Sequence, residues 1–116
     1  MKAVRGAITV SEDTAAGIAE ATQTLLRELA ARNNLEVNEV VSIFFSVTPD
    51  LRADFPAHAA RSMGWDLPML DMQEMDVPGA LPRCVRVLMH VDRCSPVRHA
   101  YLRGARELRP DLEIGE

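Results

Sequence analysis

Ionisable residues cluster in the stretch DMQEMDVPGALPRCVRVL, which runs from Asp71 to Leu88. Three acids lie among apolar residues, turn residues follow, and Arg86 then falls inside a valine-rich run. The planar guanidinium of arginine binds a carboxylate through two hydrogen bonds at once, so the chemistry that this stretch suggests is the recognition of an acid. Taken alone, however, Glu74 fits a solvated loop acid, and Arg86 fits an edge-strand arginine that pairs with one.

Other catalytic motifs are missing from the sequence. It contains no HExxH motif, no zinc-ligand spacing and no Ser/His/Asp arrangement. Cys84 and Cys94 do not form a CxxC pair, so we interpret both as free thiols and Cys84 as a small buried filler. Twelve of the thirteen basic residues are arginine, which composition bias explains for the set, so each arginine is judged by its position.

Composition and charge narrow the class of protein. A chain of 116 residues, 47% of them hydrophobic, is long enough for one domain with one core. The net charge of −4 lacks the clustered basic excess that nucleic-acid binding requires. The apolar run at Val40–Val47 is too short to cross a bilayer, and Arg5 interrupts the apolar segment that a signal peptide needs. We therefore expect a soluble cytoplasmic protein with no membrane partner.

Strand and helix patterns follow one another along the chain. The residues of Val4–Val10 alternate between apolar and other types, which predicts a strand with Arg5 facing away from the core. A helix follows, which Asp13 and Thr14 can cap and which ends at Asn33 and Asn34. The later elements are predicted as a buried strand at Glu39–Val47, short helical turns at Ala57–Met63, and strands at Leu67–Met72, Val85–Val91 and within Val97–Leu108. Regular structure should end at Arg109–Asp111.

This order of elements predicts an α+β fold in which a small mixed β-sheet packs against one long helix and one short helix. The other face of the sheet would carry Arg5, Arg86 and His90, which do not suit an ordinary core. That face is either open to water or closed by another copy of the chain, and we favour a symmetric assembly. Residues 1–116 should form a single domain with a flexible tail from about residue 110.

Four segments resemble one known family: RGAITV (Arg5–Val10), TPDLRADFPAHAAR (Thr48–Arg61), MQEMDVPGALPRCVRVL (Met72–Leu88) and AYLRGARELRPDL (Ala100–Leu112). In order and spacing they resemble the trimeric α/β-barrel class of chorismate mutase, the AroH type. The resemblance implies a homotrimeric pseudo-α/β-barrel with active sites between subunits. It also implies the Claisen rearrangement of chorismate to prephenate in aromatic amino-acid biosynthesis, a pericyclic step that needs no cofactor, metal or nucleophile.

The same resemblance implies roles for individual residues. Arg86 would donate to the ether oxygen as the C–O bond breaks. Glu74 would accept from the ring hydroxyl and face the part of the ring that becomes cationic. Arg5 would bind a substrate carboxylate, and Tyr101 and Leu108 would line the pocket.

Other matching positions are ones that the family places outside this central group. Phe55, His58 and Arg61 match residues that come from the neighbouring subunit, so a monomer would lack a complete site. Arg109 matches a basic residue of a tail that closes over the ligand.

The sequence departs from the family pattern most clearly at Asp71, where cysteine or a small neutral residue is common. We expect Asp71 to bring a second carboxylate close to Glu74 and to the substrate. Leu70 replaces a small hydroxyl residue, His58 stands where lysine is frequent, and the loop at residues 92–97 is short.

Two other functions remain open at this point. A trimeric imine deaminase would share the architecture and would also bind a carboxylate with arginine at a subunit interface, although its motifs are absent. A non-catalytic trimer that senses carboxylate ligands is the other alternative, and the altered region around Asp71 is the reason to consider it.

Overall fold

A five-stranded mixed β-sheet forms the centre of the structure, a computed structural model that describes residues 1–112. The strands are β1 (Lys2–Thr9), β2 (Val40–Val47), β3 (Met69–Gln73), β4 (Cys84–Val91) and β5 (Ala100–Leu102). Their order across the sheet is β3-β2-β4-β1-β5. The central strand β4 is antiparallel to β1 and β2, whereas β5 is parallel to β1 and β3 is parallel to β2. The predicted mixed sheet is confirmed.

Two helices cover one face of this sheet, as predicted. Helix α1 (Ala15–Asn33) begins where the Thr14 hydroxyl accepts a hydrogen bond from the Gly17 N–H over 2.9 Å. It ends at Asn34, which adopts the left-handed conformation with φ of 47°. The shorter helix α2 (Pro56–Ser62) packs beside α1. Within residues 1–112, no helix is long and apolar enough to cross a membrane.

The core lies between the sheet and the helices. Val4, Ile8, Phe45, Val87 and Met89 point toward α1 and α2 and are at most 4% exposed. Each such side chain contributes about 1.5–3 kcal/mol by leaving water. Leu25, Leu26 and Leu29 of α1 complete this layer and are fully buried.

The opposite face of the sheet carries polar and partly exposed residues. It presents Arg5 from β1, Ser46 from β2, and Arg86, Leu88 and His90 from β4. Strand β2 was expected to be buried, but only its alternate residues face the helices. The described chain leaves much of this second face open.

A short 3₁₀ helix at Arg103–Leu108 covers one end of the second face, and the sequence pattern did not predict it. Below it lies a small cluster of Ala7, Cys84 and Ala105, where burial raises the pKa of the Cys84 thiol. Tertiary contacts hold the helix in place, since the Arg103 guanidinium contacts the Glu20 carboxylate at 2.7 Å. Such long-range contacts leave no periodic pattern in the local sequence.

Two further 3₁₀ helices lie at Val37–Glu39 and Pro110–Leu112. The second corrects the expectation that regular structure ends at Arg109–Asp111, because it continues through that segment to Leu112. Residues 113–116, which belong to the tail expected from about residue 110, lie outside the described residues.

Candidate active site

A cavity of about 500 Å³ opens on the second face of the sheet, where the strands β4, β1 and β2 lie side by side. Six of the residues selected from the sequence line it, namely Arg5, Glu74, Arg86, Tyr101, Leu108 and Arg109. The remaining lining residues are Gly6, Phe44, Ser46, Met72, Val87 and Leu88. One chain therefore brings together the central group named from the resemblance and the tail residue Arg109.

The centre of the cavity is formed by Arg86 and Glu74. Arg86 projects from the central strand β4, and Glu74 follows directly after β3, where its N–H donates to the Val47 carbonyl over 2.7 Å. The Arg86 Nε lies 3.4 Å from Oε2 of Glu74, with the side chains 48% and 30% exposed. An ion pair this exposed adds little to the stability of the fold. Its position in the cavity is therefore more informative about function than its contribution to folding.

Arg5 lies on β1, next to β4, and Tyr101 lies on the edge strand β5, on the other side of β1. Strand β5 runs parallel to β1 and pairs Tyr101 with Ala7, while the Arg5 N–H donates to Nδ1 of His99 over 2.9 Å. The loop before β5 is held by Asn33 of α1, which exchanges two hydrogen bonds with the backbone of Arg98. Within residues 1–112, the Arg5 guanidinium makes no hydrogen bond, so its N–H groups can donate to a ligand carboxylate.

Arg109 lies at the rim of the cavity and is paired with Asp111. Its Nε and Nη2 donate to the two carboxylate oxygens over 3.1 and 2.9 Å. This bidentate contact raises the pKa of Arg109 and lowers the pKa of Asp111. In the described chain, the guanidinium that was expected to close over a ligand is therefore engaged by a neighbouring acid.

The cavity favours an anionic ligand. Its lining contains three arginines, Arg5, Arg86 and Arg109, against the single acid Glu74, which gives a net charge of +2. Phe44, Met72 and Leu88 add apolar surface. A compact ligand with an apolar ring and two carboxylates matches both features.

Phe55, His58 and Arg61 lie on a separate surface, at or within α2. The Phe55 ring is 58% exposed and contacts the His58 ring edge-to-face at 5.4 Å between centroids. Nδ1 of His58 lies 2.7 Å from the Asp54 carboxylate. None of the three lines the cavity of its own chain.

Asp71 does not lie beside Glu74, and the expected pair of close carboxylates is not found. Strand β3 places Asp71 opposite Phe45, on the helix side, whereas the next residue, Met72, faces the cavity. Oδ1 of Asp71 accepts a hydrogen bond from the Ala57 N–H of α2 over 3.1 Å. Desolvation raises the pKa of Asp71, and this hydrogen bond opposes the shift.

Comparison with known proteins identifies the family. The sequence model for chorismate mutase type I matches residues 1–112. The chain belongs to that family. Chorismate mutase is an isomerase of aromatic amino-acid biosynthesis.

Individual relatives agree over nearly the full length. The chain is similar to the chorismate mutase AroH of Thermus thermophilus, with 46% identity over all of this chain and 99% of the relative. It is 43% identical to the chorismate mutase AroH of Bacillus subtilis, over 98% of this chain and 94% of that protein. A solved chorismate mutase from Clostridium thermocellum superposes with a TM-score of 0.90 and 49% identity, covering 92% of this chain and 99% of the other.

The sequence reasoning missed four side chains that line this cavity: Phe44, Ser46, Met72 and Leu88. The alternation of β2 could have revealed Phe44 and Ser46, since Ile43 and Phe45 occupy the buried positions that alternate with them. This segment was instead interpreted as a buried strand, without assigning its residues to two faces. The alternation of β4 already placed Leu88 on the face of Arg86, whereas Met72 gave no such signal, because an apolar residue in a strand ordinarily belongs to a core.

Proposed function

We propose that the enzyme converts chorismate to prephenate in the cavity around Arg86 and Glu74, as the chorismate mutase family does. The observation that carries this proposal is the arrangement of a guanidinium and a carboxylate, 3.4 Å apart, in a pocket with a net charge of +2. In the reaction the ether C–O bond breaks as a C–C bond forms, and no proton has to move. The residues therefore act by holding and stabilising charge.

Each group in the cavity has a matching task in this reaction. The Arg86 guanidinium donates to the ether oxygen, where negative charge develops in the transition state. The Glu74 carboxylate accepts from the ring hydroxyl and stabilises the cationic character of the ring. Arg5 binds a substrate carboxylate, and Arg109 closes over the ligand once it leaves Asp111. Tyr101 and Leu108 help to hold the substrate in its compact reactive conformation.

We further propose that the enzyme is a homotrimer in which each cavity is completed by Phe55, His58 and Arg61 of a neighbouring copy. The proposal is supported by the separation of these residues from the cavity of their own chain. It is also supported by apolar side chains left exposed near the cavity, of which Leu70 and Met72 are 58% and 46% exposed. Asp71 contacts α2. In such a trimer it would therefore approach the substrate of a neighbouring copy only together with Phe55, His58 and Arg61.

A subunit-mixing experiment tests the shared site. Arg86→Ala and Arg61→Ala should each inactivate the enzyme, because each removes one half of every site. After the two variants are unfolded and refolded together in equal amounts, about a quarter of the sites in random trimers combine both intact halves. Chorismate turnover should rise to about that fraction of the wild-type value, and sedimentation should give a trimer. If the mixture stays as inactive as its parts, the site lies within one subunit.

The alternatives raised by the sequence gain no support. The reason to consider a non-catalytic sensor was a second acid in the pocket, and Asp71 does not line the cavity. A direct assay of chorismate conversion by the purified protein separates a mutase from a deaminase or a sensor. The single domain over residues 1–116 and the cytoplasmic location stay predictions.

A further inference from the structure

Ser46 lies on the cavity face of β2, directly opposite Arg86 in the neighbouring strand β4. Its hydroxyl donates a hydrogen bond to Oε2 of Glu74 over 2.9 Å. The same oxygen is approached by Nε of Arg86 at 3.4 Å. Ser46 therefore contacts Glu74 at Oε2, the same oxygen that Arg86 approaches.

Strand β2 holds Glu74 at two adjacent residues. The Val47 carbonyl accepts from the Glu74 N–H over 2.7 Å and fixes its backbone, while Ser46 fixes its carboxylate. A free glutamate side chain loses up to about 2 kcal/mol of conformational entropy when it is ordered. If this ordering is completed during folding, it does not have to occur when the substrate binds.

The two contacts also distinguish the carboxylate oxygens of Glu74. Both Ser46 and Arg86 contact Oε2. Oε1 receives no hydrogen bond from any of residues 1–112, so it is the oxygen that remains for a substrate hydroxyl. The hydroxyl of the half-buried Ser46 thus makes the two oxygens of Glu74 different.

We propose that Ser46 is a positioning residue for the mutase reaction, and this proposal rests on the roles given above to Glu74 and Arg86. The hydroxyl occupies Oε2 and keeps Oε1 directed at the substrate. It also limits the approach of Glu74 to Arg86. Without it, the guanidinium is the remaining partner of Oε2, and a closer ion pair would take donors from the ether oxygen.

A pair of isosteric variants isolates the hydroxyl. Ser46→Thr and Ser46→Val both introduce β-branched residues that suit a strand, and they differ in one hydroxyl. Hydrogen bonds to charged groups are the stronger ones, so kcat of Ser46→Val should be about 10- to 100-fold below that of Ser46→Thr, with KM within about threefold. Ser42→Ala is the matched control, because Ser42 lies on the same face of β2 but its hydroxyl contacts His90 outside the main cavity. Its kcat should equal the wild-type value.

A double-mutant cycle shows whether Ser46 acts through Glu74. In a Glu74→Ala background, the exchange of Thr for Val at position 46 should change kcat by less than about twofold, because the carboxylate that the hydroxyl orients is absent. A structural effect of the hydroxyl would instead give the same ratio in both backgrounds and would overturn the proposal. So would equal kcat values for Ser46→Thr and Ser46→Val in the otherwise wild-type enzyme.

The failure of this inference can be distinguished from the failure of the proposed function. If Glu74→Ala retains wild-type kcat, the role given to Glu74 is wrong, and the role of Ser46 is wrong with it. If Glu74→Ala loses activity while Ser46→Val does not, only the inference about Ser46 is overturned.

Discussion

Nε of Arg86 lies 3.4 Å from Oε2 of Glu74, which is longer than the 2.7–2.9 Å typical of a charge-assisted hydrogen bond. The two groups are close enough to influence one another, yet the acid does not take up the donors of the guanidinium. Arg86 therefore keeps donors for the substrate. A tighter pair would stabilise the empty enzyme and would have to be broken before the reaction.

Replacing Glu74 should reduce turnover much more than stability. The partner charge of Glu74 develops mainly in the transition state, so Glu74→Ala should lower kcat by about 10²-fold and raise KM much less. Its ion pair with Arg86 is partly exposed and contributes at most about 1 kcal/mol to folding. Steady-state kinetics and thermal unfolding measure the two effects.

The matched control for Glu74 is Asp76→Ala, which removes an exposed acid two residues further along the same loop. Asp76 does not line the cavity, so this variant should keep wild-type kinetics. A variant of Glu74 that changes only KM would contradict the role in the transition state.

The contact between Arg109 and Asp111 should compete with substrate binding. Asp111→Ala releases the guanidinium and removes a negative charge near the cavity, so we expect KM to fall by about two- to fivefold, the range of a weak exposed ion pair. Arg109→Ala should raise KM instead. A higher KM for Asp111→Ala, measured at the same ionic strength, would mean that Asp111 holds Arg109 in its binding position.

Asp71 should affect stability in a pH-dependent way. Desolvation raises its pKa, so the folded protein holds this proton more tightly than the unfolded chain does. Ionisation therefore costs folding free energy, and the cost grows as pH rises from the ordinary aspartate range through the raised pKa. Asp71→Asn keeps an acceptor for the Ala57 N–H without the charge. Its Tm should exceed the wild-type Tm at pH 7, and the difference should shrink toward pH 4.

The capping contact of Asp71 is tested by a second substitution. Phe55 precedes α2 without offering a side-chain acceptor, and Asp71 supplies one to the first turn. Asp71→Ala should therefore be less stable than Asp71→Asn by roughly 0.5–2 kcal/mol at every pH. If the difference between Asp71→Asn and wild type is the same from pH 4 to pH 8, the charge of Asp71 is not its cause.

The sequence predicted the fold well because its signals are local. The cap at Thr14, the end of α1 at Asn34 and the alternation around Arg86 each depend on a few neighbouring residues. The 3₁₀ helix at Arg103–Leu108 was not predicted, since it depends on contacts with Thr9 and Glu20, far away in the chain.

The site was predicted in part for a related reason. The motifs placed Arg5, Glu74 and Arg86 in one group, and their strands bring them to one cavity. The expected position of Asp71 was wrong because it was taken from the family pattern and not from the alternation of strand β3. Successive strand residues face opposite sides, and this alternation put Asp71 under α2 while Met72 faced the cavity.

The most direct test of the account is the conversion of chorismate by the wild-type enzyme and by Arg86→Ala at saturating substrate. Loss of a single neutral oxyanion donor costs roughly 10²–10³-fold in rate, and a charged donor should cost at least as much. We therefore predict that the wild type forms prephenate and that Arg86→Ala, with unchanged sedimentation and thermal unfolding, has a kcat at least about 10²-fold lower. A kcat within about tenfold of the wild-type value would show that Arg86 does not stabilise the breaking C–O bond.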